Sequence, residues 1–93
     1  LPCPLPVLLD AWAPRCVPCR GLDLFLEDLA YSLDGRVRVA RLNLDRSPQA
    51  AGRLRIHGVP TLIVFRDGHE VARMVGARGK GELMRRLADV APA

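Results

Sequence analysis

Lysine is nearly missing from this chain: of its 14 basic residues, Lys80 alone is not an arginine. Aromatic residues are scarce too, at 4% of 93 positions, and none sits inside a basic run. The net charge of +4 is spread over arginines in every segment. Nucleic-acid binding needs a basic patch and a recognisable motif, so this scatter reads as solvated surface. It still favours acidic partner surfaces. No apolar run reaches the roughly eighteen residues of a membrane-spanning helix. No charged stretch leading into a short apolar one marks a secretory signal. The chain opens on Leu1 rather than Met, as expected of a processed product, a trimmed chain or the ordered part of something longer, and an export signal could be lost in the same way. A cytoplasmic location is the expectation, with an exported form as the alternative. There is no internal repeat, and a half-apolar chain of 93 residues suits one small domain. That domain is expected over residues 7–90, with tails at 1–6 and 91–93.

Cysteine is limited to three residues, an odd number that argues against a disulfide scaffold. Cys3, between Pro2 and Pro4 in the tail, reads as a free thiol. Cys16 and Cys19 form a single C-x-x-C. Structural zinc normally takes four ligands, commonly two such pairs, so one pair does not make a metal site. His57 and His69 read as exposed loop or turn residues, and Met74 and Met84 as packing. Neither a metal nor a bound cofactor is expected.

What is present is a cysteine pair between a strand and a helix. The apolar run Val7 to Trp12 reads as a strand covered on both faces. Apolar residues at Leu22, Phe25, Leu26, Leu29 and Leu33 recur at helical spacing from about Arg20 to Leu33, and Asp34-Gly35 stops the helix. Two cysteines three apart at a helix start lie on one side of the first turn. The first sits over free backbone N–H groups at the positive end of the helix, which stabilise a thiolate, the form that attacks disulfides. Arg15 adds a positive charge beside it. Cys16 is therefore the expected nucleophile and Cys19, deeper and less acidic, the resolving thiol. Pro18 fits a first turn, which has no N–H bond to lose.

The remaining elements follow in order. Val37, Val39, Leu42 and Leu44 mark a strand within 36–45. Ser47-Pro48 predicts a helix to about Leu54, with Ser47 as cap. Leu62 to Phe65 is an apolar strand, and Asp67-Gly68 a hairpin turn into a strand over 70–75 ended by Gly76. Leu83, Met84, Leu87 and Val90 mark a final helix from near Lys80. The expected class is α/β, in the order βαβαββα.

The segment Trp12-Ala13-Pro14-Arg15-Cys16-Val17-Pro18-Cys19-Arg20 resembles the W-A-P-W-C-G-P-C-R motif of the thioredoxin family. Gly58-Val59-Pro60-Thr61 is similar to that family's second signature, about forty residues on. The resemblance runs from Val7 to Val90 and implies a minimal thioredoxin fold, a mixed four-stranded sheet flanked by helices. It implies a cis Val59–Pro60 bond facing the cysteines, and a loop that pairs its backbone with an extended substrate strand. Trp12 would pack under the active-site loop, and Gly76 would lie near the substrate groove. Asp10, a carboxyl in a buried strand, would assist deprotonation of Cys19, a role its burial suits by raising its pKa. Arg41 stands where the family usually has Lys and, unable to give up its proton, would hold Asp10 ionised. Arg15 replaces the family's Trp and Val17 its Gly, so both bear on redox potential and partner choice. A positive neighbour stabilises the thiolate and predicts a more oxidising couple.

The function these residues imply is thiol–disulfide exchange on protein disulfides, with electrons passed to or from an external reductase or oxidant. Two other readings use the same chain: an oxidase or isomerase of an oxidising compartment, and a non-catalytic binding module working by strand addition. Compared with the family's full form, a first strand and helix are not found ahead of Val7, so the expectation is either a minimal version or a unit supplied from outside this chain. The strand within 36–45 would then be a sheet edge, and weak homodimerisation through it is expected.

Overall fold

A computed structural model describes residues 5–33, 35–76 and 80–90. Cys3, Asp34 and the tail at 91–93 lie outside the described residues. Strand β1 (Val7–Trp12) leads into helix α1 (Val17–Ser32), and β2 (Arg38–Asn43) into the short helix α2 (Pro48–Arg53). Then come β3 (Thr61–Arg66), β4 (His69–Val75) and α3 (Lys80–Val90). The sheet order is β2-β1-β3-β4. β1 pairs parallel with β2 and antiparallel with β3, and β3 antiparallel with β4. The sheet is therefore mixed, with β1 and β3 central.

Alternation along β1 sorts the core into two layers. Leu8 points to one face and packs with Leu22, Leu26 and Leu29 of α1 and Leu83 and Leu87 of α3. Leu9 and Ala11 point to the other and pack with Ala51 and Leu54 beside Ile56 and Ile63. Asp10 shares the parity of Leu8, so its carboxyl enters the α1 side of the sheet.

Several boundaries differ from the sequence expectation. Helix α1 starts at Val17, not near Arg20, because Pro18 belongs to the first turn and Cys16 is itself the N-cap. Strand β2 is limited to Arg38–Asn43 because both ends turn away: Val37 donates to Leu33 O at 3.0 Å, and Asp45 donates to Asn43 Oδ1 at 3.0 Å. Ser47 caps α2 by position but makes no side-chain capping bond. The Asp67-Gly68 turn has φ of +53° and +80°, the two left-handed residues that a tight hairpin matching strand twist requires.

Helix α2 ends in a way the sequence did not advertise. Ile56 donates to Ala51 O at 2.9 Å and Arg55 to Gly52 O at 3.2 Å. This paired closure places Arg55 in the left-handed position that glycine usually fills, at φ +55°. The guanidinium of Arg73, on β4, then donates to Leu54 O at 2.7 Å and Arg55 O at 3.0 Å. Glu70 holds that guanidinium through two further bonds of 2.8 and 2.7 Å. One strand thus anchors the start of the loop that runs through Ile56 to Pro60.

Candidate active site

Cys16 and Cys19 are joined as a disulfide across the first turn of α1, with Cα atoms 5.3 Å apart. Cys16 has extended backbone at the N-cap, and its Sγ accepts from the Cys19 N–H at 3.2 Å. An N-cap atom that accepts from a free first-turn N–H is well placed to carry negative charge. Cys19 is 2% exposed and Cys16 6%, while the neighbouring Val17 is 71% exposed. The pair is sunk among apolar atoms, with Val17 and Pro18 marking its open side.

The apolar cluster around the sulfurs contains Ala13, with Trp12 and Val59 packed against it. Trp12 thus lies against the cysteine turn. The Val59–Pro60 bond is cis. Gly76, with φ +92°, donates its N–H to Pro60 O at 2.8 Å, so the end of β4 is tied to the proline loop. Thr61 is buried and its hydroxyl donates to Gly58 O at 2.6 Å. Its side chain braces the loop from within. These contacts bring one wall of the site from β1 and α1 and the other from the loop before β3.

Asp10 is 1% exposed and lies across from Arg41 in the β1–β2 register. Arg41 Nε donates to its Oδ2 at 3.3 Å, while Oδ1 has no hydrogen-bond partner among the described residues. Burial pushes the Asp10 carboxyl above its ordinary value of 3.8, and the charge and hydrogen bond of Arg41 pull the other way. Desolvation is the larger effect, so Arg41 moderates the weak acid without making it a strong one. Arg41 is also shared: its other branch donates to Asp23 Oδ1 at 2.8 Å, and its guanidinium lies over the Trp12 ring at 4.6 Å. A cation so placed links β2, α1 and the indole.

Arg15 does not stand free beside Cys16. Its Nη1 donates to both carboxylate oxygens of Asp45 at 3.0 Å. Asp45 was not singled out by sequence reasoning, since it lies thirty residues away in a turn. The local geometry explains the meeting: Leu44 donates to Trp12 O at 2.9 Å, carrying the β1–β2 pairing one step past the strands. Residue 45 is thereby level with the segment leading to Cys16. The carboxylate counters part of the charge that Arg15 would otherwise present to the sulfur. His57 and His69 are exposed. Among the described residues, no group of three or more His, Cys, Asp or Glu converges as metal ligands would.

The family model described as Thioredoxin matches residues 4–89. A thioredoxin of Mycobacterium tuberculosis is 44% identical over 87 residues, covering 94% of this chain and 75% of that protein. The bifunctional thioredoxin reductase/thioredoxin of Mycobacterium leprae is 41% identical over 87 residues, 94% of this chain and 19% of the longer protein. The X-ray structure of Fasciola hepatica thioredoxin superposes with a TM-score of 0.87 at 28% identity, covering 92% of this chain and 81% of that one.

Proposed function

Because this chain belongs to the thioredoxin family and is a protein-disulfide reductase, we propose a division of labour in which Cys16 attacks and Cys19 resolves. The carrying observation is the N-cap position of Cys16, whose sulfur accepts a first-turn N–H bond. In the reduced protein, the Cys16 thiolate attacks one sulfur of a substrate disulfide. That S–S bond breaks, a mixed disulfide forms, and the departing substrate sulfur takes a proton. Asp10, a weak acid through burial, accepts the Cys19 proton. The Cys19 thiolate attacks Cys16 Sγ, the second substrate thiol leaves, and the Cys16–Cys19 disulfide returns. Two electrons have passed to the substrate, and the dithiol supplies them without a further cofactor.

Substrate is bound by the loop Val59, Pro60 and Thr61 with Gly76 and Trp12, through backbone pairing of an extended segment beside the sulfurs. Arg15, Val17, Pro18 and Arg41 tune the couple. The relative from M. leprae is named for a reductase joined to a thioredoxin; a reductase of that class is the electron donor we assign here. The domain spans residues 7–90 and works in the cytoplasm. None of the described helices is long and apolar enough to cross a membrane.

Trapping tests the division of labour. A Cys19→Ser protein should accumulate a covalent adduct with a disulfide substrate through Cys16, seen by mass spectrometry. A stable adduct formed by Cys16→Ser through Cys19 instead would reverse the assignment.

A further inference from the structure

The Arg15–Asp45 pair lies beside the attacking sulfur and is open to solvent, with side chains 77% and 40% exposed. Such a pair is held weakly, because water screens it and two side chains lose freedom to form it. A second carboxylate can take the place of the first at little net cost. Arg15 is also not the lone cation there: Arg20 Nη2 reaches Pro14 O at 3.4 Å, so two guanidinium groups flank the turn before Cys16. Among the described residues, Asp45 is the single carboxylate paired against them. Arg41, by contrast, is committed to Asp10, Asp23 and the Trp12 ring.

We infer that Arg15 and Asp45 act together as a charge-selective gate on substrate, favouring disulfides flanked by acidic residues. An incoming Asp or Glu displaces Asp45 from Arg15 and gains the two-pronged contact that Asp45 now makes. A basic flank meets Arg15 and Arg20 and is repelled, as like charges across an interface are. Asp45 is then a specificity residue: it keeps Arg15 satisfied in the free protein and sets the threshold a substrate carboxylate must pass. This inference rests on the disulfide-reductase reading and names its substrate class.

The test uses three short peptides with the same intramolecular disulfide and acidic, neutral or basic flanks. Reduction by the pre-reduced protein is followed at low salt, and each rate constant is divided by that for the neutral peptide in the same protein. This removes any general change in cysteine reactivity. Wild type should prefer the acidic to the basic peptide by about two- to fivefold, the scale of one exposed charge contact. Asp45→Asn should widen that preference, Arg15→Gln should collapse it towards one, and added salt should narrow it in wild type. A wild-type preference near one, or a preference that survives Arg15→Gln, overturns the gate. Failure of wild type to reduce the neutral peptide would instead strike at the reductase reading itself.

Discussion

Asp10 carries a cost that its surroundings only partly offset. Its carboxyl is buried, one oxygen lacks a hydrogen bond among the described residues, and burial raises its pKa above 3.8 despite Arg41. The folded chain therefore holds this proton more tightly than the unfolded chain. Stability falls as pH rises from the ordinary 3.8 through the raised folded value, and it stays lower above that. Each tenfold weakening of the acid costs the ionised form about 1.4 kcal/mol. Asp10→Asn should consequently raise the melting temperature at pH 7, with the gain closing as pH drops below 3.8. The same variant should slow release of the mixed disulfide at pH 7 by about a hundredfold or more, the lower end of what a positioned proton acceptor contributes. Paired thermal melts and single-turnover kinetics check both arms. A variant that is no more stable at pH 7, or that releases substrate at the wild-type rate, contradicts the proton-acceptor role.

At the scale of elements, the loop bearing Pro60 is fixed from both sides. Gly76 holds Pro60 O, and Arg73 clasps the end of α2 where Arg55 has left-handed backbone. An L-residue there pays a steric cost of about 1 kcal/mol that glycine avoids. Arg55→Gly should therefore stabilise the fold by up to about 1 kcal/mol, less whatever the unfolded chain gains in freedom. Arg73→Met should destabilise by about 1–3 kcal/mol, since two carbonyls and Glu70 lose a shared donor. Urea denaturation measures both, and the opposite signs are the diagnostic feature. Neither effect was visible in the sequence. Arg55 shows no glycine at the helix end, and Arg73 meets Leu54 across nineteen positions. The strands, the Asp67-Gly68 turn and α1 were legible because their signals are local: alternation, turn chemistry and helical spacing. The partners of Arg15, Arg41 and Arg73 depend on register between distant segments, which no local pattern encodes.

Across the whole molecule, the two cysteines and the proline loop were readable as motifs, and the fold brings Val59 against them. Among the described residues β2 is an edge of the sheet, with Arg38 and Arg41 exposed along it. An edge strand offers its backbone groups to a second copy, while like charges on it weaken that pairing. We expect weak self-association, seen as a rising average mass in sedimentation at high protein concentration. A strictly monomeric profile there would count against it. Activity depends on Cys16 as the sulfur that meets substrate. Its most direct test is turnover of insulin disulfides by the wild-type protein and by Cys16→Ser, each supplied with the same reductant. Wild type should accelerate reduction over reductant alone and Cys16→Ser should fall to that background, whereas substantial turnover by Cys16→Ser would contradict the central claim.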